Sequence, residues 1–212
     1  MELTIEVISD IVCPWCYIGK RRLDKSLKAF DARVPVQLTW KPFQLNPDLP
    51  PEGIERAAYM EKKFGAERVK QMSDHLTELG KDDGITFHFD KIKLSPNTFL
   101  AHRLIWLARQ EGQQDEIVEA LFRAYFCEGK DIGDAQTLIK LGAACGIPQP
   151  RLQRFFGSTE GVAQTRAEIQ QASDREISMV PHFIMNKDYW ISGADTVETF
   201  QNAFKVAAQA SR

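Results

Sequence analysis

The sequence has no long apolar run, no large excess of one charge and few cysteines. Hydrophobic residues make up 43% of the 212 positions, but no uninterrupted stretch reaches the roughly 18 residues that span a membrane. The formal net charge is only -2, which provides little attraction for nucleic acid or for an acidic membrane surface. Low-complexity segments and internal repeats are also missing. We therefore expect a globular protein that binds neither nucleic acid nor membrane.

The first residues also show no pattern that predicts an N-terminal targeting signal. The chain begins almost directly with a strand pattern, without the basic and apolar regions that mark a signal peptide. We therefore expect a cytoplasmic protein. Thiols in the cytosol are kept reduced, so a closely spaced cysteine pair there is more often catalytic than a structural disulfide.

Two of the four cysteines, Cys13 and Cys16, stand in the sequence Cys-Pro-Trp-Cys. A strand pattern rich in β-branched residues covers 4–8 before them, and an amphipathic helix pattern continues after them to Phe30. Pro14 suits the first turn of that helix, because its φ is fixed near helical values and its missing N–H would have no partner there. The pair is thus predicted at a helix N-terminus, with Cys16 facing the core and the Cys13 sulfur facing solvent.

This position predicts different roles for the two sulfurs. The free N–H groups and the dipole of a helix N-terminus stabilise a thiolate, so Cys13 is the expected nucleophile. Cys16 is near enough in sequence to resolve a mixed disulfide by exchange. The basic run over 20–22 is expected to be a solvated helix face that adds positive potential near Cys13.

Half of a zinc site is the alternative interpretation of the pair. A closed zinc site needs two further ligands at suitable spacing. The remaining cysteines, Cys127 and Cys145, are eighteen residues apart and have no neighbouring cysteine or histidine. Each lies in an apolar helical pattern, which is typical of a buried small hydrophobic residue. We therefore expect redox chemistry, with no metal and no cofactor.

The rest of the chain changes from a mixed pattern to a helical one and back again. Strand patterns lie at 36–40, 85–89, 182–185 and 189–192, and a Pro-rich connector lies at 46–53. Helical patterns cover 54–156, with a break near Gly65, and 158–176. A last helical pattern begins at a cap residue, Asp195. Asn97 is expected to cap one helix of the block, and Val197, Phe200 and Phe204 of the last helix are expected to face the core. The order predicts a parallel βαβ unit, a helical block and a ββα unit.

This order, with Cys-Pro-Trp-Cys at the first helix and Met179-Val180-Pro181 before the hairpin, resembles the DsbA-like branch of the thioredoxin superfamily. The similarity is greatest to the cytosolic FrnE-like members. The matching segments cover most of the chain: 9–10 with 13–19, 97–98 with 101–104, 121–126 with 128–129 and 131–132, and 180–181 with 192–194. The resemblance implies an α/β protein in which a thioredoxin-fold domain, residues 1–45 and 158–212, carries an inserted all-helical domain, residues 46–157.

The resemblance also implies a protein disulfide oxidoreductase or isomerase that acts on disulfide-containing proteins or peptides, with glutathione or another cellular thiol as a partner. Pro181 would be a cis-proline facing the cysteines, a trans proline being the alternative. The backbone of Val180 would bind an extended substrate by strand addition. Pro14, Trp15 and the helical insertion would line the substrate groove. His182 is either an imidazolium that favours the nucleophilic thiolate or a polar strand start.

Two positions depart from the family pattern. Thioredoxins and DsbA place a buried acid six residues before the first cysteine, where this chain has Val7. Proton transfer to Cys16 would then fall to Asp10, Glu6 or water. DsbA has a histidine between its cysteines where this chain has tryptophan, so the strongly oxidising potential of DsbA is not expected here.

The histidines other than His182 show no ligand pattern. His102 shares a helix face with Phe99 and Trp106, and is predicted to be a half-buried core residue rather than a ligand. His75 and His88 have no predicted partner.

Two further functions remain open at this stage. Kappa-class glutathione transferases and hydroxychromene carboxylate isomerases share the inserted-helix layout, but they use a serine or a single thiol where this chain keeps both cysteines. A chaperone that holds unfolded peptides in the proline groove, with the cysteines as a redox switch, is the non-enzymatic alternative. The substrate, the direction of exchange and the oligomeric state do not follow from the sequence.

Overall fold

The computed structural model describes residues 2–30 and 33–210. These residues form strands and helices in the order β1 (Leu3–Ser9), α1 (Pro14–Lys28), β2 (Val36–Pro42), β3 (Ile54–Glu55), α2 (Arg56–Phe64), α3 (Ala66–Asp82), a 3-10 turn (Phe89–Lys91), β4 (Leu94–Ser95), α4 (Phe99–Gln110), α5 (Gln114–Phe126), α6 (Ala135–Ala144), α7 (Gln149–Phe156), α8 (Val162–Asp174), β5 (His182–Met185), β6 (Tyr189–Ser192) and α9 (Val197–Ala210). Within this part of the chain, no helix is both long enough and apolar enough to cross a membrane.

Four strands form one mixed sheet in the order β2-β1-β5-β6. β1 is parallel to β2, and β5 is antiparallel to both β1 and β6. The side chains of Leu3, Ile5 and Val7 are all buried in the core, which is the period-two pattern of a strand with one face inward. The predicted βαβ and ββα units are therefore confirmed, and together they give the thioredoxin arrangement.

Helices enclose the sheet. α9 packs against α1 and against β1, β5 and β6, while α4, α5 and α8 contact β2. Phe200 and Phe204, predicted to face the core, are fully buried. Phe200 meets Phe183 of β5 edge-on, with ring centroids 4.7 Å apart, and Phe204 meets Phe30 after α1 at 5.4 Å. The last helix thus fixes the strand that follows Pro181 against the helix that carries the cysteines.

Between β2 and α8 the regular secondary structure is helical apart from the two-residue pairing of β3 with β4. The predicted break at Gly65 is confirmed, because this glycine separates α2 from α3 with a φ of 83°. The strand predicted over 85–89 was wrong. Ile85 and Phe87 are buried, but the neighbouring His88 N–H donates to the Phe126 carbonyl of α5 at 2.8 Å instead of forming a strand ladder.

Three helices begin at residues other than those predicted. α4 follows Thr98, although Asn97 Oδ1 still accepts a hydrogen bond from the first helical N–H at 3.0 Å. α8 begins only after Gly161, whose φ is 74° and where a Cβ would lie 2.8 Å from the Trp106 ring. α9 follows Thr196, whose hydroxyl accepts a hydrogen bond from the N–H three residues later at 3.2 Å.

The basic run of α1 was predicted wrongly as a solvated face. Lys20 is 2% exposed, and its Nζ lies 2.9 Å from Asp24 Oδ2 and 3.2 Å from Asp115 Oδ2 at the start of α5. Arg22 Nε donates to Asp83 Oδ2 at 2.8 Å. These ion pairs connect the helix of the cysteines to the helical insertion, so their positive charge is compensated.

Candidate active site

The two cysteines lie at the start of α1, as predicted. Cys13 is the N-cap residue, with φ -91° and ψ 113°, and Pro14 occupies the first helical turn. The Cys13 N–H donates to the Asp10 carbonyl at 3.0 Å, and the Cys16 N–H donates to the Cys13 carbonyl at 3.0 Å. Both thiols are free. Backbone hydrogen bonds thus hold the turn that carries the dithiol.

The two thiols differ in access. Cys16 is fully buried, which confirms the prediction that it faces the core. Cys13 is only 5% exposed, so the prediction that its sulfur faces bulk solvent was wrong. Its sulfur instead lies at the wall of a cavity, 3.6 Å from the Val180 carbonyl oxygen. A substrate entering this cavity meets Cys13 first.

Burial raises the pKa of the Cys16 thiol well above its ordinary value. The neighbouring Cys13 raises it further, whereas the Ser9 side chain and the Asp10 backbone oppose the shift. Cys16 is consequently a thiol at neutral pH in the reduced protein. It must lose its proton before it can attack a mixed disulfide.

The peptide bond between Val180 and Pro181 is cis, as the resemblance implied. The Val180 carbonyl faces the Cys13 sulfur, and the Val180 N–H has no hydrogen-bond partner among the residues described. Gly19 in α1 permits the close approach of this loop, because a Cβ there would lie 3.0 Å from Pro181 Cγ and from the Phe183 ring. One residue beside the nucleophile therefore offers a free backbone donor.

The cavity beside Cys13 has a volume of about 400 Å³. Its wall includes Pro14 and Trp15 of the predicted groove, Val180, and one side of α2 and α3. Met60, Met72 and Met179, three of the five methionines in the chain, also line it. Methionine is flexible and polarisable, so this wall can adapt to apolar groups of different shapes.

His182 does not line that cavity. It lines a second one, and its Nδ1 lies 2.8 Å from the Ser192 hydroxyl across the hairpin. Burial lowers the pKa of His182, which favours the neutral imidazole at neutral pH. Of the two sequence interpretations, this geometry fits the polar strand start rather than an imidazolium beside the thiols.

A buried polar network behind the turn was not predicted. Asp10 and His102 are both buried, with Asp10 Oδ1 3.2 Å from His102 Nε2. The same Nε2 lies 2.8 Å from the Phe43 carbonyl oxygen, which can only accept, so Nε2 carries a hydrogen. Asp10 Oδ2 accepts a hydrogen bond from the Leu45 N–H at 2.8 Å. The network joins the cysteine turn, the segment after β2 and α4.

Two of the three candidate proton acceptors for Cys16 already have partners in the structure. The Asp10 carboxylate is already bound by Leu45 and His102, and Glu6 is ion-paired with Arg175.

Within residues 2–30 and 33–210, no cluster of three histidine, cysteine or acidic residues is arranged to hold a metal ion. The dithiol is thus the reactive centre that this geometry offers.

Fold and site together define the class of the protein: a thioredoxin fold with a helical insertion, in which a Cys-x-x-Cys turn faces a cis-proline loop. Residues 4–205 match the family model described as DSBA-like thioredoxin domain, and the chain therefore belongs to that family. Members of the family are thiol-disulfide oxidoreductases.

Individual relatives extend over nearly the whole chain. The Bacillus subtilis protein YwbO is 26% identical over 204 residues, which are 96% of each chain. A structure described as a probable DsbA oxidoreductase from Streptomyces coelicolor has a TM-score of 0.90 and 27% identity, covering 98% of this chain and 91% of that one. The cytosolic disulfide reductase DsbM from Pseudomonas aeruginosa, solved with GSH, has a TM-score of 0.61 and 14% identity, covering 98% and 97%. The likeness to DsbM shows the fold alone.

Proposed function

We propose that this protein exchanges disulfides with protein or peptide substrates, using Cys13 as the nucleophile and Cys16 as the resolving thiol. The observation that carries the proposal is the difference in access: the Cys13 sulfur borders an open cavity, whereas Cys16 is fully buried behind it. A substrate disulfide can reach one sulfur, and the other is held three residues away on the same helix.

The reaction balances as two exchanges. The Cys13 thiolate attacks one substrate sulfur, the substrate S–S bond breaks, and the displaced thiolate takes up a proton. Cys16 then gives up its proton and attacks the Cys13 sulfur, so the second substrate thiol leaves and a Cys13–Cys16 disulfide forms. Two electrons pass to the substrate, and a cellular thiol such as glutathione returns them to the protein. In the opposite direction the same steps oxidise a substrate dithiol.

Backbone recognition supports a polypeptide substrate. The Val180 N–H, which has no partner in the part of the chain that the structure describes, lies in the loop whose carbonyl faces Cys13, and an extended chain can hydrogen-bond there as an added strand. The adaptable wall containing Met60, Met72 and Met179 supports the acceptance of varied side chains. The proposal includes Pro14, Trp15 and Pro181 as groove residues.

Three finer points belong to the same proposal. We propose that the protein is cytosolic and that glutathione is a candidate partner. These two points are supported by the description of DsbM, which is called cytosolic and was solved with GSH. The FrnE-like subfamily and the domain limits 1–45 with 158–212 and 46–157 remain predictions. The kappa-like transferase alternative is less well supported, because both cysteines of the pair are present and lie in one turn.

Trapping of mixed disulfides tests this division of roles. Cys127 and Cys145 are first replaced with serine, and Cys16→Ser is compared with Cys13→Ser in that background. After incubation with a disulfide-containing peptide, intact mass should show an adduct on the Cys16→Ser protein and none on its Cys13→Ser control. Equal trapping by both variants, or trapping only by Cys13→Ser, would contradict the proposal.

A further inference from the structure

A cavity lies on each side of the segment formed by Ser178 and Met179. Both residues line the cavity at Cys13, and both also line a second cavity of about 350 Å³. His182, Ile184 and Trp190 of the β5-β6 hairpin contribute to the second cavity. Because the two cavities share a wall, one continuous surface leads from the nucleophile, over the loop before Pro181, to the hairpin.

Two exposed apolar side chains border the second cavity. Met179 and Trp190 are each 67% exposed, the highest values among the large hydrophobic residues described. Single exposed apolar residues are common on protein surfaces, but two at the border of one cavity beside an active site indicate an interaction surface. Trp190 is paired in register with Ile184, so an indole ring and an aliphatic side chain form the hairpin side of this cavity.

This cavity has little net charge. Its lining has one charged residue of each sign, Arg175 and Glu176, and Arg175 is also ion-paired with Glu6 on β1. Burial lowers the pKa of His182 and favours its neutral form. The surface therefore provides apolar area, concentrated at Met179 and Trp190, and no strong excess of either charge. An uncharged, apolar side chain fits this chemistry best.

We propose that the cavity between Met179 and Trp190 binds an apolar side chain of a polypeptide substrate whose nearby cysteine is joined to Cys13. This inference rests on the proposed function and specifies its substrate class. A chain that hydrogen-bonds to Val180 runs alongside Ser178 and Met179, so a residue two or three positions from the reactive cysteine reaches the second cavity. A small disulfide without a peptide chain has no group to place there.

The test compares one peptide disulfide in two versions with a small disulfide. The peptides carry either leucine or aspartate at the positions two and three residues from the half-cystine, and hydroxyethyl disulfide is the small substrate. The measured quantity is kcat/KM for each peptide divided by kcat/KM for hydroxyethyl disulfide. Wild-type protein should favour the leucine peptide, and Trp190→Ser should lower that ratio by about tenfold, the effect of losing an aromatic binding residue. Trp190→Tyr, which keeps a ring, should retain most of it.

Val206→Ser is the matched control, because Val206 is 47% exposed on α9 and lines neither cavity. It should leave all ratios unchanged. The inference is overturned if Trp190→Ser leaves the leucine-peptide ratio unchanged, or if it lowers the leucine and aspartate ratios equally. If wild-type protein reduces none of the three disulfides in the presence of glutathione, the proposed function itself fails, and that result is distinct from a failure of the Trp190 site.

Discussion

Replacing Asp10 with asparagine perturbs the buried polar network behind the cysteine turn. The carboxylate accepts one hydrogen bond from the Leu45 N–H at 2.8 Å and lies 3.2 Å from the His102 Nε2 that carries a hydrogen. An asparagine side chain has one acceptor oxygen, and its NH₂ group would face the other donor. His102 Nε2 keeps its hydrogen bond to the Phe43 carbonyl, so the group left without a partner is the new NH₂ group, and water does not reach it because Asp10 is fully buried.

The expected loss of stability follows from this count of donors and acceptors. One buried donor without a partner costs about 1–3 kcal/mol, and the remaining bond loses its charged acceptor at about 1 kcal/mol. Asp10→Asn should therefore lower the free energy of unfolding by about 2–4 kcal/mol. That is a large fraction of the roughly 5–15 kcal/mol typical of a folded protein.

Urea unfolding of the reduced protein, followed by tryptophan fluorescence, measures this loss. Asp74→Asn is the matched control, because Asp74 is 65% exposed and pairs with Lys70 on the surface of α3. Such an exposed pair contributes about 0.5 kcal/mol or less. The reasoning would be refuted if Asp10→Asn and Asp74→Asn unfolded at the same urea concentration with equal m-values.

Three other perturbations have defined outcomes. Burial raises the pKa of Cys16, so above about pH 8.5 the unfolded chain loses a proton that the folded state keeps, and stability should fall with rising pH. Cys16→Ser should remove this part of the slope in urea titrations, and an unchanged slope would contradict the burial argument. In Gly19→Ala, overlap of the new methyl group with Pro181 should outweigh the better helix propensity of alanine and lower the free energy of unfolding by about 1 kcal/mol in urea. A stabilised variant would show that the Pro181 loop moves aside without cost. Burial lowers the pKa of Lys20, but the nearby carboxylates outweigh this effect and raise it overall. Lys20→Met should lower the free energy of unfolding by about 1–2 kcal/mol in the same assay, a modest loss because the acids are partly exposed. An unchanged free energy of unfolding would show that the ion pairs do not stabilise the fold.

The elements of the fold and of the site that could be predicted depend on residues close to one another in the sequence. The strand before Cys13, the proline that suits a first helical turn and the core-facing Cys16 are all local patterns, and each is confirmed. The hairpin and the buried Phe200 and Phe204 of α9 follow from period-two and helical spacing, and they are confirmed as well. Such patterns specify an element and its inward face.

The parts that were missed depend on residues far apart in the chain. Asp10 and His102 are separated by 92 positions, and their pairing requires α4 to lie against the turn before α1. A helix-face pattern predicted that His102 is a half-buried core residue, whereas it is 2% exposed, and the pattern could not reveal its partner. The basic run of α1 resembled a solvated face until α5 brought Asp115 next to Lys20. Long-range partners decide whether a polar residue is solvated or buried, and a single sequence does not show them.

The second cavity was missed for a related reason. Trp190 fits the strand pattern of the hairpin, and aromatic residues are common in strands. Only the folded chain places it at one cavity with Met179, eleven residues earlier, while leaving most of its ring exposed.

Redox titration of the Cys13 and Cys16 pair against glutathione tests the central claim most directly. The protein carries serine at positions 127 and 145, is equilibrated at a series of reduced-to-oxidised glutathione ratios, and is then quenched, alkylated and weighed by mass spectrometry. The account predicts that both thiols disappear together in one reversible two-electron transition, with the disulfide mapped to Cys13 and Cys16. If the two cysteines form no mutual disulfide at any ratio, or if Cys13 accumulates only as a stable glutathione adduct, the pair is not a dithiol redox centre and the account is contradicted.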